Sequence, residues 1–246
     1  MRIYAIGDIH GQLDMLKAAH ARIAADKARV GDVDAQIVHL GDYTDRGPDS
    51  RGVIQYLKDG VERGEPWVLI RGNHDRMFTR FARFGIAHDE RIKSGLSWLD
   101  PRLGGQTTLA SYGVESEDGA FELAHMRAKK AVPDDHLTFL EGMPLTYEWE
   151  GYLFVHAGIN PKVALADQDE DDLIWIREGW LDFHGHLPLR VVHGHTALDA
   201  PTHFGNRIDI DTGAGYGRPM TALVIENGHE EVVTQTGRTP LEHVTA

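Results

Sequence analysis

The residues of this chain best suited to chemistry stand beside glycines in five short segments: GDIHG at 7–11, GDYTDRG at 41–47, GNHD at 72–75, VHAG at 155–158 and HGHT at 193–196. Each offers hard oxygen or imidazole donors of the kind that hold divalent cations. Two such cations about 3.5–4 Å apart are suited to splitting phosphate esters. Asp8 and His10 are two apart, so at the end of an extended strand both side chains can reach one cation. Asp42, directly after an apolar run, is the candidate bridge between two cations. Read alone, Asp45 also suits a turn or helix cap ahead of Pro48, and Arg46 a surface charge. Asn73 brings an amide oxygen, His74 an imidazole for proton transfer and Asp75 a helix-capping carboxylate. His156 and His195 each follow an apolar run and precede small residues, with His193 an alternative to His195. The other ten histidines have no such context and are expected at the surface or in packing.

Three β-loop-α units position these segments. Residues 2–6 (RIYAI), 35–40 (AQIVHL) and 67–70 (WVLI) read as strands. Helical patterns follow them: Leu13, Leu16, Ala19 and Ile23; then Val53, Ile54, Leu57 and Val61, in a helix starting at Pro48; then Met77, Phe78, Phe81 and Ala82. Every motif thus falls at the carboxyl end of a strand, the edge at which open α/β sheets bind ligands. Residues 85–131 break the rhythm and read as a helical insertion or cap; a helix is expected from Pro133, then a hairpin around Glu150-Gly151 ending at His156. Residues 190–192 form a short strand before HGHT, and 207–211, 220–225 and 231–236 read as an antiparallel meander. The whole chain, 1–246, is expected to be one domain.

Composition narrows the function classes. With 25 Lys and Arg against 38 Asp and Glu, a formal net charge of −13, the chain lacks the basic excess of a general nucleic-acid binder. A phosphorylated small molecule or protein remains compatible, because local cations override the global field. There is no cysteine, which removes thiolate metal sites, disulfides and thiol nucleophiles. The chain starts in a strand-like run with no basic-then-apolar leader and has no membrane-length apolar run, so a cytoplasmic protein that does not engage membranes is expected. The oligomeric state is left open.

The ordered set GD-x-HG, GD-xx-DRG, GNH, HAG and GHT resembles the calcineurin-like metallophosphoesterases, and its DRG version resembles the serine/threonine protein phosphatases of short bacterial and phage type. The resemblance covers about residues 1–196. It implies an α/β fold, a β-sandwich of mixed sheets flanked by helices, and two divalent metal ions, with Mn²⁺ favoured and Fe or Zn possible. Asp8, His10 and Asp42 would hold the first ion, and Asp42, Asn73, His156 and His195 the second. His74 would be the general acid, oriented by Asp45. Arg46 would bind the phosphoryl oxygens together with Arg177 of IWIREGW (174–180), Arg190 being the fallback. The implied reaction is phosphomonoester hydrolysis of phosphoserine or phosphothreonine by metal-activated water. Asp75, where the protein phosphatases carry Glu, points to the related diadenosine polyphosphate hydrolases as the alternative. A non-catalytic, metal-stabilised binding protein is the remote alternative.

Overall fold

Strand β1 (Arg2–Ile6) sends Tyr4 and Ile6 into one buried cluster and Ile3 and Ala5 into another, so it must be covered on both faces. In the computed structural model, which describes residues 1–116, 120–241 and 243–244, two stacked sheets and a layer of helices meet that demand. β2 (Gln36–His39) and β3 (Trp67–Leu69) extend β1 in parallel. β9 (Ala222–Glu226), β10 (His229–Thr234) and β11 (Gly237–Pro240) continue on its other side as an antiparallel meander. The second sheet holds β4 (Thr146–Trp149), β5 (Tyr152–Val155), β6 (Arg190–His193), β7 (Thr202–His203) and β8 (Arg207–Asp209) in the order β4-β5-β6-β8-β7. Ile3, Ala5 and Val38 meet Phe154, Val192 and Ile208 between the sheets.

The outer face of the first sheet packs on α1 (Leu13–Val30), α2 (Ser50–Glu62), α3 (Asn73–Phe84), α4 (Gly105–Ser111), α5 (Phe121–Ala131) and α6 (Asp134–Glu141). α7 (Glu170–Trp175) and the loop after it cover the second sheet. The architecture is the expected mixed-sheet sandwich flanked by helices. No described helix is long and apolar enough to cross a membrane.

Three local expectations are corrected. Residues 207–209 do not join the terminal meander: all three are buried, and β8 lies parallel to β6 in the other sheet. Strand-forming composition does not identify the neighbouring strand. Helix α2 starts at Ser50 rather than Pro48, because the Asp49 carboxylate caps it by accepting from Gly52 N at 2.8 Å, and Val61 faces solvent. Among the described residues of the 85–131 insertion, which exclude 117–119, only those of α4 and α5 are helical. Its Trp98, Leu99, Leu109 and Tyr112 belong to the same core cluster as Phe78 and Phe81.

One polar chain crosses this core. His39 Nδ1 donates to Val68 O, so its Nε2 accepts from His20 Nε2 at 2.8 Å, and His20 Nδ1 accepts from the Tyr56 hydroxyl. Both imidazoles are therefore neutral, and burial lowers their pKa, to about 4 for His39 and about 2 for His20. A folded pKa below the unfolded value of about 6.5 means that the stability contribution is present above pH 6.5 and is lost as pH falls. Urea denaturation under chelation should show stability falling between pH 6.5 and 4, with His39 alone costing about 3 kcal/mol over that window. A His20→Leu/His39→Phe variant whose pH slope matched wild type would overturn this assignment.

Candidate metal centre

The carboxyl ends of five strands converge at one edge of the sandwich. Asp8 follows β1, Asp42 follows β2, Asn73 and His74 open α3 after β3, His156 follows β5 and His195 follows β6. The loops lock to one another through backbone: His10 N donates to Asp42 O at 2.6 Å, Gly11 N to Tyr43 O at 2.9 Å and Gly194 N to His156 O at 2.8 Å. Two glycines are required for space alone. A Cβ on Gly72 would stand 2.2 Å from Asp42 Oδ1, and one on Gly194 2.1 Å from Asp8 Oδ1. Backbone strain gathers here too. Among the described residues, seven non-glycines have positive φ, and five of them are His10, Asp42, Asp45, Arg46 and His195. Non-glycine residues hold such angles only where surrounding contacts enforce them, most often at functional sites.

The side chains fit divalent cations. Asp42 stands between two imidazoles, with Oδ2 3.5 Å from His10 Nε2 and Oδ1 3.4 Å from His156 Nε2, the placement that a bridging carboxylate needs. His10 Nδ1 donates to Thr44 O at 2.8 Å and His156 Nδ1 to Leu40 O at 2.7 Å. Both Nε2 lone pairs are thus turned inward, as in metal-ligating histidines held by backbone carbonyls. His156 Nε2 faces the Asn73 oxygen at 2.8 Å, two acceptors opposed unless a cation or proton lies between. His195 Nε2 is buried and has no hydrogen-bond partner among the described residues. Asp8 accepts from His195 N at 3.1 Å and lies 3.9 Å from His10 Nε2.

The titration shifts reflect the same crowding. Burial, then the Asp211 carboxylate, pushes Asp8 well up. Burial works against a charged His156, yet the Asp42 and Asp8 carboxylates outweigh it and raise the imidazole to about 10. Burial, followed by Arg46 for His10 and Arg177 for His195, holds those two well below the ordinary histidine value. Divalent cations would relieve the carboxylate repulsion and take up the lone pair that His195 Nε2 leaves without a partner.

Beside this cluster, His74 Nδ1 donates to Asp45 Oδ2 at 2.6 Å. Asp45 also accepts from Trp98 Nε1 at 2.7 Å and from the Thr108 hydroxyl at 2.6 Å. Burial raises the Asp45 carboxyl, and the Thr108 and Trp98 hydrogen bonds act the other way by favouring the anion. Arg46 reaches the Nε2 atoms of both His10 and His74, with its guanidinium 4.9 Å from the Tyr216 ring centre. Arg177 lines the cavity over the cluster and donates to His195 O at 3.3 Å. The fallback Arg190 lies elsewhere, paired with Glu230 and packed on Tyr152. His193 is likewise outside the cluster, edge-on to Trp180. Asp75 turns away from the cavity and accepts from Gly72 N at 2.9 Å and Tyr43 N at 2.8 Å.

Sequence reasoning missed Trp98, Thr108 and Tyr216. The first two lie 53 and 63 positions from Asp45, in a stretch without periodicity, so no local signal marked them. Tyr216 sits between two strands of the expected meander, where nothing local marked it; there Gly215 lies so close that a Cβ would be 2.7 Å from the His10 ring.

The sequence profile of calcineurin-like phosphoesterases matches residues 1–212. The chain is 24% identical over 261 residues to bis(5'-nucleosyl)-tetraphosphatase PrpE (asymmetrical) of Oceanobacillus iheyensis, covering 98% of this chain and 94% of that protein. Among solved structures, one provisionally named a diadenosine tetraphosphatase superposes with a TM-score of 0.65 at 20% identity, covering 98% of this chain and 94% of the other. The cold-active protein-tyrosine phosphatase of a psychrophilic Shewanella gives 0.64 at 16% identity, covering 98% and 80%.

Proposed function

The chain belongs to the calcineurin-like phosphoesterase family, and from that membership we propose that it hydrolyses dinucleoside polyphosphates, cutting one phosphoanhydride bond with water. The observation that carries this reading is the cavity of about 800 Å³ that opens from Asp42, Asn73, His74 and His195 and runs past Trp175, Ile92 and Leu103. Its size is that of a small-molecule site, about 300–1,000 Å³, and exceeds what one phosphorylated side chain fills. The Oceanobacillus relative, matched along nearly its whole length, bears the name of this activity. The phosphoserine reading rested on Asp45 and Arg46, which serve either ester or anhydride cleavage and do not select between them. Asp75 does not select either, because it holds backbone amides rather than lining the cavity.

In this reading Asp8, His10 and Asp42 would hold one divalent ion and Asp42, Asn73, His156 and His195 the other, and Mn²⁺ would be well matched to the oxygen and imidazole donors. When bound, the ions supply Lewis acidity toward the phosphoryl oxygens and toward water. Arg46, swung off His10 and His74, and Arg177 bind non-bridging oxygens, where the planar guanidinium can make paired bonds. A water oxygen forms the new bond to phosphorus as the bridging P–O bond breaks, and the proton that this water loses passes to solvent. His74, once Arg46 has left Nε2 and a proton from solvent has charged the ring there, delivers that proton to the departing phosphate oxygen, while Asp45 holds Nδ1–H and keeps the ring oriented.

A substrate panel with Mn²⁺ restored after chelation tests the proposal. Diadenosine tetraphosphate should exceed a phosphoserine peptide in kcat/KM by at least an order of magnitude, releasing a nucleoside mono- and triphosphate if the cut is asymmetrical. Preference for the peptide reverses the substrate assignment. Hydrolysis of neither, nor of p-nitrophenyl phosphate, leaves a metal-stabilised binding protein.

A further inference from the structure

We propose that Lys162, Lys93 and Arg91 form a subsite for the phosphates beyond the one under attack, so that the cavity takes a polyphosphate chain. The inference rests on the dinucleoside polyphosphate reading above. The chain as a whole is acidic, 38 Asp and Glu against 25 Lys and Arg. The cavity lining inverts that balance with five cations, Arg46, Arg91, Lys93, Lys162 and Arg177, against four carboxylates, of which Asp42 belongs to the metal-capable cluster. Arg46 and Arg177 sit at the imidazoles, on His10, His74 and the His195 carbonyl. One phosphoryl group needs no more than these two. Three cations remain on the outer wall, where a substrate meets them only if its negative charge continues past the reacting phosphorus.

The backbone carrying Lys162 is held in place: Lys162 N donates to Asn160 Oδ1 at 3.2 Å, and Gln168 Nε2 donates to Asn160 O at 2.9 Å. The exposed Lys162 side chain lines the cavity, and none of the ion pairs found among the described residues involves it.

The other two cations are held by anions. Lys93 pairs with Glu178, both side chains at least 80% exposed, and Arg91 Nη2 lies 3.6 Å from Asp172 Oδ1. These contacts run from the loop after Asp89 to α7 and the segment behind it, both walls of one cavity. The exposed Lys93–Glu178 pair is weak, and phosphate oxygens are strong acceptors for Lys and Arg. Glu178 therefore acts as an exchangeable placeholder, which orients Lys93 toward the cavity and yields to a polyphosphate chain, while Asp172, held by Asn160 Nδ2 at 3.1 Å, fixes Arg91 on the wall. The placeholder also competes with substrate, which gives an expectation of improved binding on its removal.

The test compares kcat/KM for diadenosine tetraphosphate with kcat/KM for p-nitrophenyl phosphate, which has no distal phosphates, in the Mn²⁺-loaded full chain. The ratio should fall about tenfold in Lys162→Ala and in Lys93→Ala and rise in Glu178→Gln. In parallel, the lysine variants should raise Ki for inorganic tripolyphosphate, which carries the chain without a nucleoside, more than Ki for orthophosphate. A ratio unmoved by both lysine variants overturns the subsite. So does a selectivity loss confined to an acidic phosphopeptide, which would assign these cations to a protein substrate. If wild type does not cleave diadenosine tetraphosphate, the substrate reading fails first. The tripolyphosphate arm then decides the subsite alone, and equal effects on tripolyphosphate and orthophosphate overturn it.

Discussion

Asp42→Asn is expected to release both divalent ions and to lower turnover on the order of 10³-fold. The residue stands between His10 and His156, one oxygen toward each, and its Oδ1 also accepts from His74 N at 3.0 Å. Replacing one oxygen by an amide group removes half of the bridge and one negative charge. Charge stabilisation by metal ions is worth several kcal/mol, and about 1.4 kcal/mol corresponds to each tenfold in rate. The fold should survive, because the substitution is isosteric and removes a buried charge from beside Asp8. Elemental analysis after dialysis gives the stoichiometry, and thermal unfolding checks the fold. A folded variant that still carries two ions would remove Asp42 from the bridging position.

The second large effect belongs to His74 and to the residues behind it. His74→Asn should lower turnover of phenyl phosphate by about 10²–10⁴-fold, the usual contribution of a positioned acid. p-Nitrophenyl phosphate, whose leaving oxygen needs little protonation, should lose much less. A steeper dependence on the leaving group is therefore the signature, and equal losses across the series would take the acid role away from His74. Trp98→Phe should give a milder version of the same steepening. It keeps the ring in the core beside Phe78 and Phe81 but deletes the N–H that donates to Asp45. A purely structural role for Trp98 would slow all substrates alike. Through this bond and that of Thr108, the 85–131 segment reaches the centre as a support for Asp45 as well as a cavity wall.

The parts of this design readable in the chain are those with short-range causes. A Gly-Asp pair at the end of an apolar run is local, and so is the spacing of two between Asp8 and His10. The three β-loop-α units follow from periodicities within about twenty residues, so the first sheet's parallel core and its ligand-bearing edge could be anticipated. The ligand candidates were legible one segment at a time, and their order carried the family resemblance.

The rest depended on contacts between distant segments. A half-filled strand pattern at 207–209 does not say which sheet will accept it, because both offer an apolar face. The choice of Arg177 over Arg190 follows from α7 folding over the second sheet, which brings the first to the cavity and leaves the second at Glu230. His195 rather than His193 meets His156 because the chain turns into the left-handed region at His195, with φ of 67°, once β6 has ended. By itself, then, the sequence determined which residue types could hold metal and on which kind of edge they stand, because local spacing and backbone freedom suffice for that. Only the tertiary structure decided which carboxylate lies between two imidazoles, what supports Asp45 and which cations share one cavity. Those outcomes depend on packing between strands and loops that lie far apart along the chain.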